Sequence, residues 1–384
     1  MKYRLFPTKA QATRLEQTLD ACRWVYNQTL EVRKNAWEQE QRSVSYFETK
    51  RMLPQWKAEH PFLEIAHSQV LQNVTERVDL AFKAFFRRVK AGEEPGYPRF
   101  RGKHRYDSFT YPQAHAFHLN DDGTVSVSKL GRLRLSLHRP MQGLIKTLTL
   151  CRDALGRWYA SFSVEVEPTP LPPSPLVAGV DVGLTAFATL SDDTAIANPR
   201  FFRQDEQALK KAQRKLSAQA QGTPARRKAR RVVQHIHQRI KSRRTDFAHQ
   251  ASRKLVNPYQ VIMCEDLDIT DMQANGPRSL KKSIADAAWG QFLQYTCSKA
   301  AEAGRTFLKV FPRGTTQDCS GCGATVPKAL SVRVHHCPHC GLTVDRDRNA
   351  ARNILARGLA RLGATAPVKL GGHASGNNHG AVAP

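Results

Sequence analysis

The strongest constraint on this chain is one acidic residue in an apolar setting. Residues 176–190 read LVAGVDVGLTAFATL, and Val177, Ala178, Val180 and Val182 form a short apolar run behind a Pro-rich approach. Such a run predicts a buried strand. Asp181 interrupts it. A carboxylate removed from water is costly unless it is paired or holds a metal. Gly179 and Gly183 flank it and add no side-chain bulk, so backbone or ligand can come close. A second apolar run, Ala186 to Leu190, ends in Ser191-Asp192-Asp193, a turn signal.

Three readings of this stretch stay open on its own residues. It resembles the first hairpin of an RNase H-like fold, with Asp181 offered to a divalent metal. It also resembles the opening D-x-G strand of the actin-like ATPases. The third reading is an Asp that caps a turn. The rest of the chain discriminates between them.

Charge comes next. Lys and Arg number 59 against 33 Asp and Glu, a formal net charge of +26. A chain this basic is drawn to a polyanion. Its hydrophobic content of 41% excludes a largely disordered basic tail protein. At 384 residues it can build about two to three domains. No apolar stretch is long enough for a membrane span, and MKYRLFPTKAQ has no apolar signal core, so a cytoplasmic protein is expected.

Along the chain, KYRLF at 2–6 predicts a short strand, and Thr8 an N-cap for the helix after it. Further helices are expected over about Thr29 to Gln41 and from near Phe47. A fourth places Val70, Val74, Val78, Phe82, Phe85 and Val89 on one face and stops at Ala91-Gly92. Residues 96–106, GYPRFRGKHRY, alternate aromatics with Arg99, Arg101, Lys103 and Arg105, a pattern suited to phosphate contact with stacking available. From Phe109 to Val166 the pattern is β, with turns at Asp121-Asp122-Gly123 and Asp153 to Gly156, predicting a small antiparallel barrel or sandwich. Five prolines between 168 and 175 mark a linker. Residues 200–256 predict two basic helices broken near Gly222-Thr223-Pro224, with Arg226, Arg227, Arg230, Arg231, Arg243 and Arg244 as nucleic-acid contacts.

Two further carboxylates stand out. YQVIMCEDL at 259–267 is another buried-type strand, ending in Glu265-Asp266, and residues 283–303 read as one amphipathic helix with Trp289 near the site. Asp347 lies just before a helix containing Asn349, Ala350, Ala351, Asn353 and Ile354, with Asp345 ranked second. Between them, Cys319-x2-Cys322 and Cys337-x2-Cys340 are separated by fourteen residues. Two such knuckles predict one structural Zn²⁺ in a four-thiolate ribbon. The scattered cysteines, Cys22, Cys151, Cys264 and Cys297, are expected to be reduced and buried.

GVDVG, the strand ending in Glu265, SIADAAWGQF, CSGCG with CPHC, and DRDRNAARNI follow one another here as in TnpB proteins, and nearly the whole chain resembles that family. TnpB proteins are transposon-encoded relatives of type V CRISPR effectors. The resemblance implies an RNA-guided DNA endonuclease that binds a guide RNA from the transposon end, reads a short motif beside the target and melts double-stranded DNA. It implies a multidomain α+β architecture: a β-barrel wedge (1–10 and 106–170) and a helical recognition domain (11–105). An RNase H-like (RuvC) α/β nuclease domain (171–315 and 345–363), a zinc ribbon contacting target nucleic acid (316–344) and a disordered tail (364–384) complete it. The implied nuclease triad is Asp181, Glu265 and Asp347, sharing two Mg²⁺ ions about 3.5–4 Å apart. Tyr46, Gln69, Gln72 and Asn73 are candidate readers of the target-adjacent motif, and a monomeric ribonucleoprotein without a membrane partner is expected. Two alternatives are a guided DNA-binding regulator that does not cut and an RNA-independent RuvC-type nuclease or transposase accessory. The ATPase reading loses, because no second Gly-rich phosphate loop is present and the zinc ribbon has no place in it.

Overall fold

The computed structural model describes residues 1–363 apart from His104 and Leu330. The tail expected to be disordered lies outside the described residues. The chain divides after Glu167 into two compact units.

The first unit opens with β1 (Lys2–Phe6) and α1 (Lys9–Glu40). Thr8 and Gln11 form a reciprocal capping box at the start of α1. The separate helix expected from Thr29 is the second half of this one helix. No Gly or Pro occurs between Lys9 and Glu40 to break it, and Gln41 ends it in the left-handed region. Two short helices follow, α2 (Tyr46–Arg51) and α3 (Leu53–Glu59), and then α4 (Ser68–Lys90). On α4, Val70, Val74, Val78 and Phe82 are buried as the spacing predicts, whereas Phe86 and Val89 at its end stand about half exposed.

The β region supplies β2 (Ser108–Tyr111), β3 (Phe117–Leu119), β4 (Thr124–Val127), β5 (Gly131–Ser136), β6 (Leu144–Arg152) and β7 (Trp158–Glu165). With β1 they form one antiparallel sheet in the order β2-β6-β7-β1-β5-β4-β3. The end strands β2 and β3 share no ladder among the described residues, but the Tyr111 hydroxyl donates across the seam to the Ser128 carbonyl at 2.8 Å. One core joins this sheet to α1 and α4, with Leu15, Val25, Val70 and Val74 in the same cluster as Phe109, Leu133 and Phe162.

The second unit contains β8 (Val177–Val182), β9 (Ala186–Leu190), β10 (Ala195–Ala197), α5 (Phe201–Ser217), α6 (Pro224–Val256) and β11 (Val261–Glu265). It continues through α7 (Ile269–Asn275), α8 (Arg278–Ala287), α9 (Trp289–Glu302) and β12 (Thr306–Val310). A two-stranded ribbon, β13 (Val334–His336) and β14 (Thr343–Asp345), then leads into α10 (Arg346–Arg361). The sheet order is β10-β9-β8-β11-β12, with β8, β11 and β12 parallel and β8 and β9 forming the antiparallel hairpin.

The single helix expected over 283–303 is two. Ala288 adopts φ 54°, which ends α8 and starts α9. Trp289 is buried in the core cluster with Phe187, Ile262 and Phe292. The scattered thiols also differ from expectation: Cys22 and Cys264 are buried, but Cys151 is half-buried and Cys297 exposed. No helix of the described chain is long and apolar enough to cross a membrane.

Candidate active site

Strand alternation decides which face carries the acids. Ala178 and Val180 of β8, with Ile262 and Cys264 of β11, enter the core beneath α6 and α9. The alternate positions, Val177 and Met263, meet Ile354 and Leu355 of α10 on the other face. Asp181 and Glu265 continue this second series. In the parallel pairing Cys264 lies opposite Val180, so Glu265 falls beside Asp181 at the strand ends. The helix α10 covers that face, and Asp347 lies in its first turn.

Close contact of α10 requires glycine on β8. A Cβ on Gly179 would fall 2.1 Å from the Ala351 carbonyl oxygen. Farther along α10, a Cβ on Gly358 would meet the Met263 sulfur at 2.1 Å. Asp345 has a separate task. It is the N-cap of α10, accepting the N–H groups of Asp347 at 2.9 Å and Arg348 at 3.2 Å. Asp347 is thereby placed inside the helix start, where the N-terminal dipole favours its charge.

The three carboxylates are each 8% exposed, so each has been taken largely out of water. Burial, followed by the Glu265 and Asp347 carboxylates, holds the Asp181 carboxyl well above the usual range. Burial also raises Glu265, opposed by the hydroxyl that Thr315 donates to it and by the Arg357 charge. Asp347 is paired with Arg333 and lies 3.5 Å from the Arg346 guanidinium. Asp181 makes no side-chain hydrogen bond or ion pair among the described residues. Ionised, it would lack a directly paired cation, the Arg346 and Arg333 charges only partly opposing the rise. The donor set is all oxygen, which suits Mg²⁺.

The four cysteines converge differently. The sulfurs of Cys319, Cys322, Cys337 and Cys340 all lie within 4.8 Å of one another. Among the described residues no other group of three or more Asp, Glu, His or Cys is drawn together so closely, the three carboxylates included. Four thiols with that convergence suit a closed tetrahedral zinc site. The segment entering the cluster is tied to α10. Asn349 accepts the Ser320 N–H at 2.9 Å and donates to the Asp318 carbonyl at 2.7 Å. Asn353 donates to the Thr315 and Asp318 carbonyls, and Arg357 pairs with the Asp318 carboxylate at 2.7 Å.

Thr315, Arg333 and Arg346 were not legible as site residues. Arg333 belongs to the arm between the two knuckles, where spacing carries no information about which cation turns inward. Thr315 follows β12, and nothing in its neighbours marks it.

The basic candidates divide. Arg99, Arg101, Lys103 and Arg105 are exposed, as are Arg227, Arg230 and Arg231 on α6. Arg226 instead donates to the Leu216 and Gln219 carbonyls, closing the loop between α5 and α6. Arg244 is bound to the Asp286 carboxylate and the Ala285 carbonyl, and Arg243 contacts Gln204 and lies over the Phe201 ring. These three guanidiniums, expected as nucleic-acid contacts, already have partners within the unit. Their side chains satisfy helix ends and a buried acid within the unit.

The candidate motif readers are also divided. Asn73 is held by Glu76 and Arg77, and Gln69 by Gln113 and His115. Tyr46 is half-buried at the start of α2. Gln72 lines a cavity of about 450 Å³ together with Phe47, Lys50, Arg51 and Lys57.

Comparison with known proteins defines the class first. Residues 161–276 match the OrfB_IS605 family, described as "Probable transposase", and residues 289–354 match the Cas12f1-like TNB domain. Residues 1–42 match a domain described as "Helix-turn-helix", although here they form β1 and the single helix α1. A protein of Streptomyces pristinaespiralis named "Putative RNA-guided DNA endonuclease" is 38% identical over 94% of this chain and 89% of its own. One of Escherichia coli (strain K12), named "Putative RNA-guided DNA endonuclease InsQ", is 30% identical over 94% of this chain and 92% of its own. The fold is similar to that of Cas12f1 in its complex with guide RNA and target DNA, with a TM-score of 0.59 over 90% of this chain and 83% of that chain at 13% identity. The chain belongs to the TnpB family.

Proposed function

We propose that the protein is a transposon-associated RNA-guided DNA endonuclease whose cutting centre is Asp181, Glu265 and Asp347. The observation that carries this reading is Asp181, a buried carboxylate without a hydrogen bond or ion pair, beside Glu265 on one sheet face. The names of relatives that align along almost the whole chain support the RNA-guided part. The guide would come from the transposon end and pair with one strand of double-stranded DNA, after a short adjacent motif is read. Specificity then lies in base pairing, while the protein holds backbone and shape.

The three carboxylates would hold a pair of Mg²⁺ ions, whose chemistry when bound would be to acidify a water and to offset charge on the phosphate. The chain's own residues do the rest. Thr315 fixes the Glu265 carboxylate by donating its hydroxyl, and the Asp345 cap fixes the helix start that carries Asp347. Arg333 and Arg346 bring positive charge to the same edge, where a phosphate would enter. Zn²⁺ at the four cysteines would close the ribbon as a structural element. In this reading the first unit supplies the wedge and recognition regions, the second the RuvC-type nuclease region and zinc ribbon. The working form is a monomeric ribonucleoprotein of the cytoplasm.

Sequencing the RNA that co-purifies with the chain tests the guided part. One discrete transposon-end transcript is expected, and absent or random RNA refutes guidance. Asp181→Ala tests the centre. It should abolish cleavage while retaining RNA and target binding, and a variant that still cuts removes Asp181 from the mechanism. The intact set of three acids favours cutting over a binding-only regulator.

A further inference from the structure

The segment between α4 and β2 is extended and exposed, yet its backbone is pinned at several points. Tyr97 packs edge-on against Phe82 and Phe85, with ring centroids 5.6 and 5.5 Å away at 88° and 79°. Pro98 is buried beside it. Three residues on, the Asn27 side chain of α1 grips Arg101 from both sides. Its oxygen accepts the Arg101 N–H at 2.7 Å and its amide donates to the Arg101 carbonyl at 3.0 Å. Tyr106 is then buried against Tyr26.

Between these fixed points Phe100 stands 51% exposed, and Phe86 at the end of α4 is 54% exposed. Arg99, Arg101, Lys103 and Arg105 are interleaved with them, against Glu93 and Glu94 on the acid side. An apolar ring on a free loop would turn inward or collapse onto its neighbours. Here the clip at Arg101 and the anchor at Tyr97 hold the backbone on either side of Phe100. Flat rings held out among guanidinium and ammonium groups match a single-stranded nucleotide, whose bases stack while its phosphates pair with the cations.

We infer that Phe100, Tyr97 and Phe86 form a stacking platform for unpaired bases of the guide RNA. This rests on the RNA-guided reading above and adds to it a place where unpaired guide nucleotides bind. The guide is favoured over a displaced DNA strand because the rings are held out in the chain by itself, and in the RNA-guided reading the guide is bound before any DNA is met.

Two measurements test it, and neither needs cleavage. In the first, the full chain in EDTA is irradiated with a single-stranded RNA of about ten nucleotides carrying 5-bromouridine, the scale of one single-strand site. Crosslinks should map to the peptides around Phe86 and 96–101. Phe100→Ala should lower that crosslink and the affinity by roughly 5- to 100-fold, the range for loss of one stacked base. Phe100→Trp should restore both. Crosslinks elsewhere, or an unchanged Phe100→Ala, overturn the platform.

In the second, the ribonucleoprotein is purified from cells fed 4-thiouridine, irradiated, and compared with a complex in which only the added DNA carries 4-thiothymidine. Guide crosslinks at Phe100 before DNA is added support the assignment. Crosslinks there only from the DNA overturn the guide as occupant. A chain that passes the first measurement but co-purifies no discrete RNA overturns guided function and the guide as occupant, and leaves a general single-strand platform.

Discussion

The second unit gathers two sets of side chains, and it builds them in opposite ways. The four cysteines lie on two turns of one short segment, with all sulfurs within 4.8 Å of one another. The three acids come from β8, β11 and α10, are less tightly gathered, and leave Asp181 unpaired. The thiol cluster is closed and can only hold. The acid cluster is open, charged and costly to the fold, as expected of a site kept for reaction rather than for stability. The difference is that between a site suited to a metal that stabilises structure and a site suited to one that serves chemistry, and each half of that contrast can be tested separately.

The largest effect is expected at the thiols. Removing zinc with a strong chelator, or Cys337→Ser, should unfold the ribbon, since structural zinc contributes on the order of 10 kcal/mol in small zinc domains. Zinc content by elemental analysis and loss of the upper thermal transition report it. Cleavage should fall as well, because β14 runs directly into the cap of Asp347. A chain that keeps its fold and its cutting without zinc breaks the comparison. Next is Glu265→Gln, expected to lower the cleavage rate by about 10³-fold or more, through loss of one of three carboxylates, with thermal stability nearly unchanged. Equal losses of stability and rate would make Glu265 a structural residue.

Gly179→Ala sharpens the comparison by attacking the frame. The added methyl meets the Ala351 carbonyl, so a loss of about 1–3 kcal/mol is expected, together with misplacement of Asp347. Denaturant midpoint and cleavage rate should fall together. The smallest effect has the opposite sign. Asp181→Asn should raise stability in EDTA by on the order of 1 kcal/mol, because it removes an unpaired buried charge. The sign with pH follows from the raised carboxyl. The folded chain holds this proton more tightly than the unfolded one, so its stabilising effect is complete only below about pH 3.9, the unfolded value. It fades as pH rises through the folded value. The advantage of Asn should therefore vanish in acid and grow as pH rises through the folded value. A destabilised Asp181→Asn would mean that the carboxylate is paired after all.

Much of this site was legible because each member breaks a local pattern. Asp181 interrupts an apolar strand, Glu265 ends another, and two C-x-x-C turns have few other uses. The hairpin of α5 and α6 was legible from Gly222-Thr223-Pro224, where Gly222 takes φ 81° and Thr223 caps α6. What failed was set by tertiary contact. The break at Ala288 uses a residue with high helix propensity in the left-handed region, with Asp286 just before it accepting the Phe202 N–H and the Arg244 guanidinium. The continuous α1 was missed because a separate helix was expected from Thr29, whereas one helix runs unbroken from Lys9 to Glu40 and the Asn27 side chain near its middle is engaged with Arg101. Arg226 and Arg244 look like their exposed neighbours until the carbonyls and acids around them are placed. Composition identifies a basic surface, and only packing says which of its cations are free.

The grip of α10 on the run from Phe311 to Ser320 has a mechanical meaning. Asn349, Asn353 and Arg357 fasten the helix to the approach of the first knuckle, and Gly179 seats the same helix on the sheet without clearance. Helix, sheet and first knuckle therefore travel as one piece. The arm between the knuckles joins this piece at Arg333, which pairs with Asp347 through its guanidinium and accepts the Arg346 N–H at 2.8 Å through its carbonyl, so the ribbon is braced against the same helix start that carries the acid.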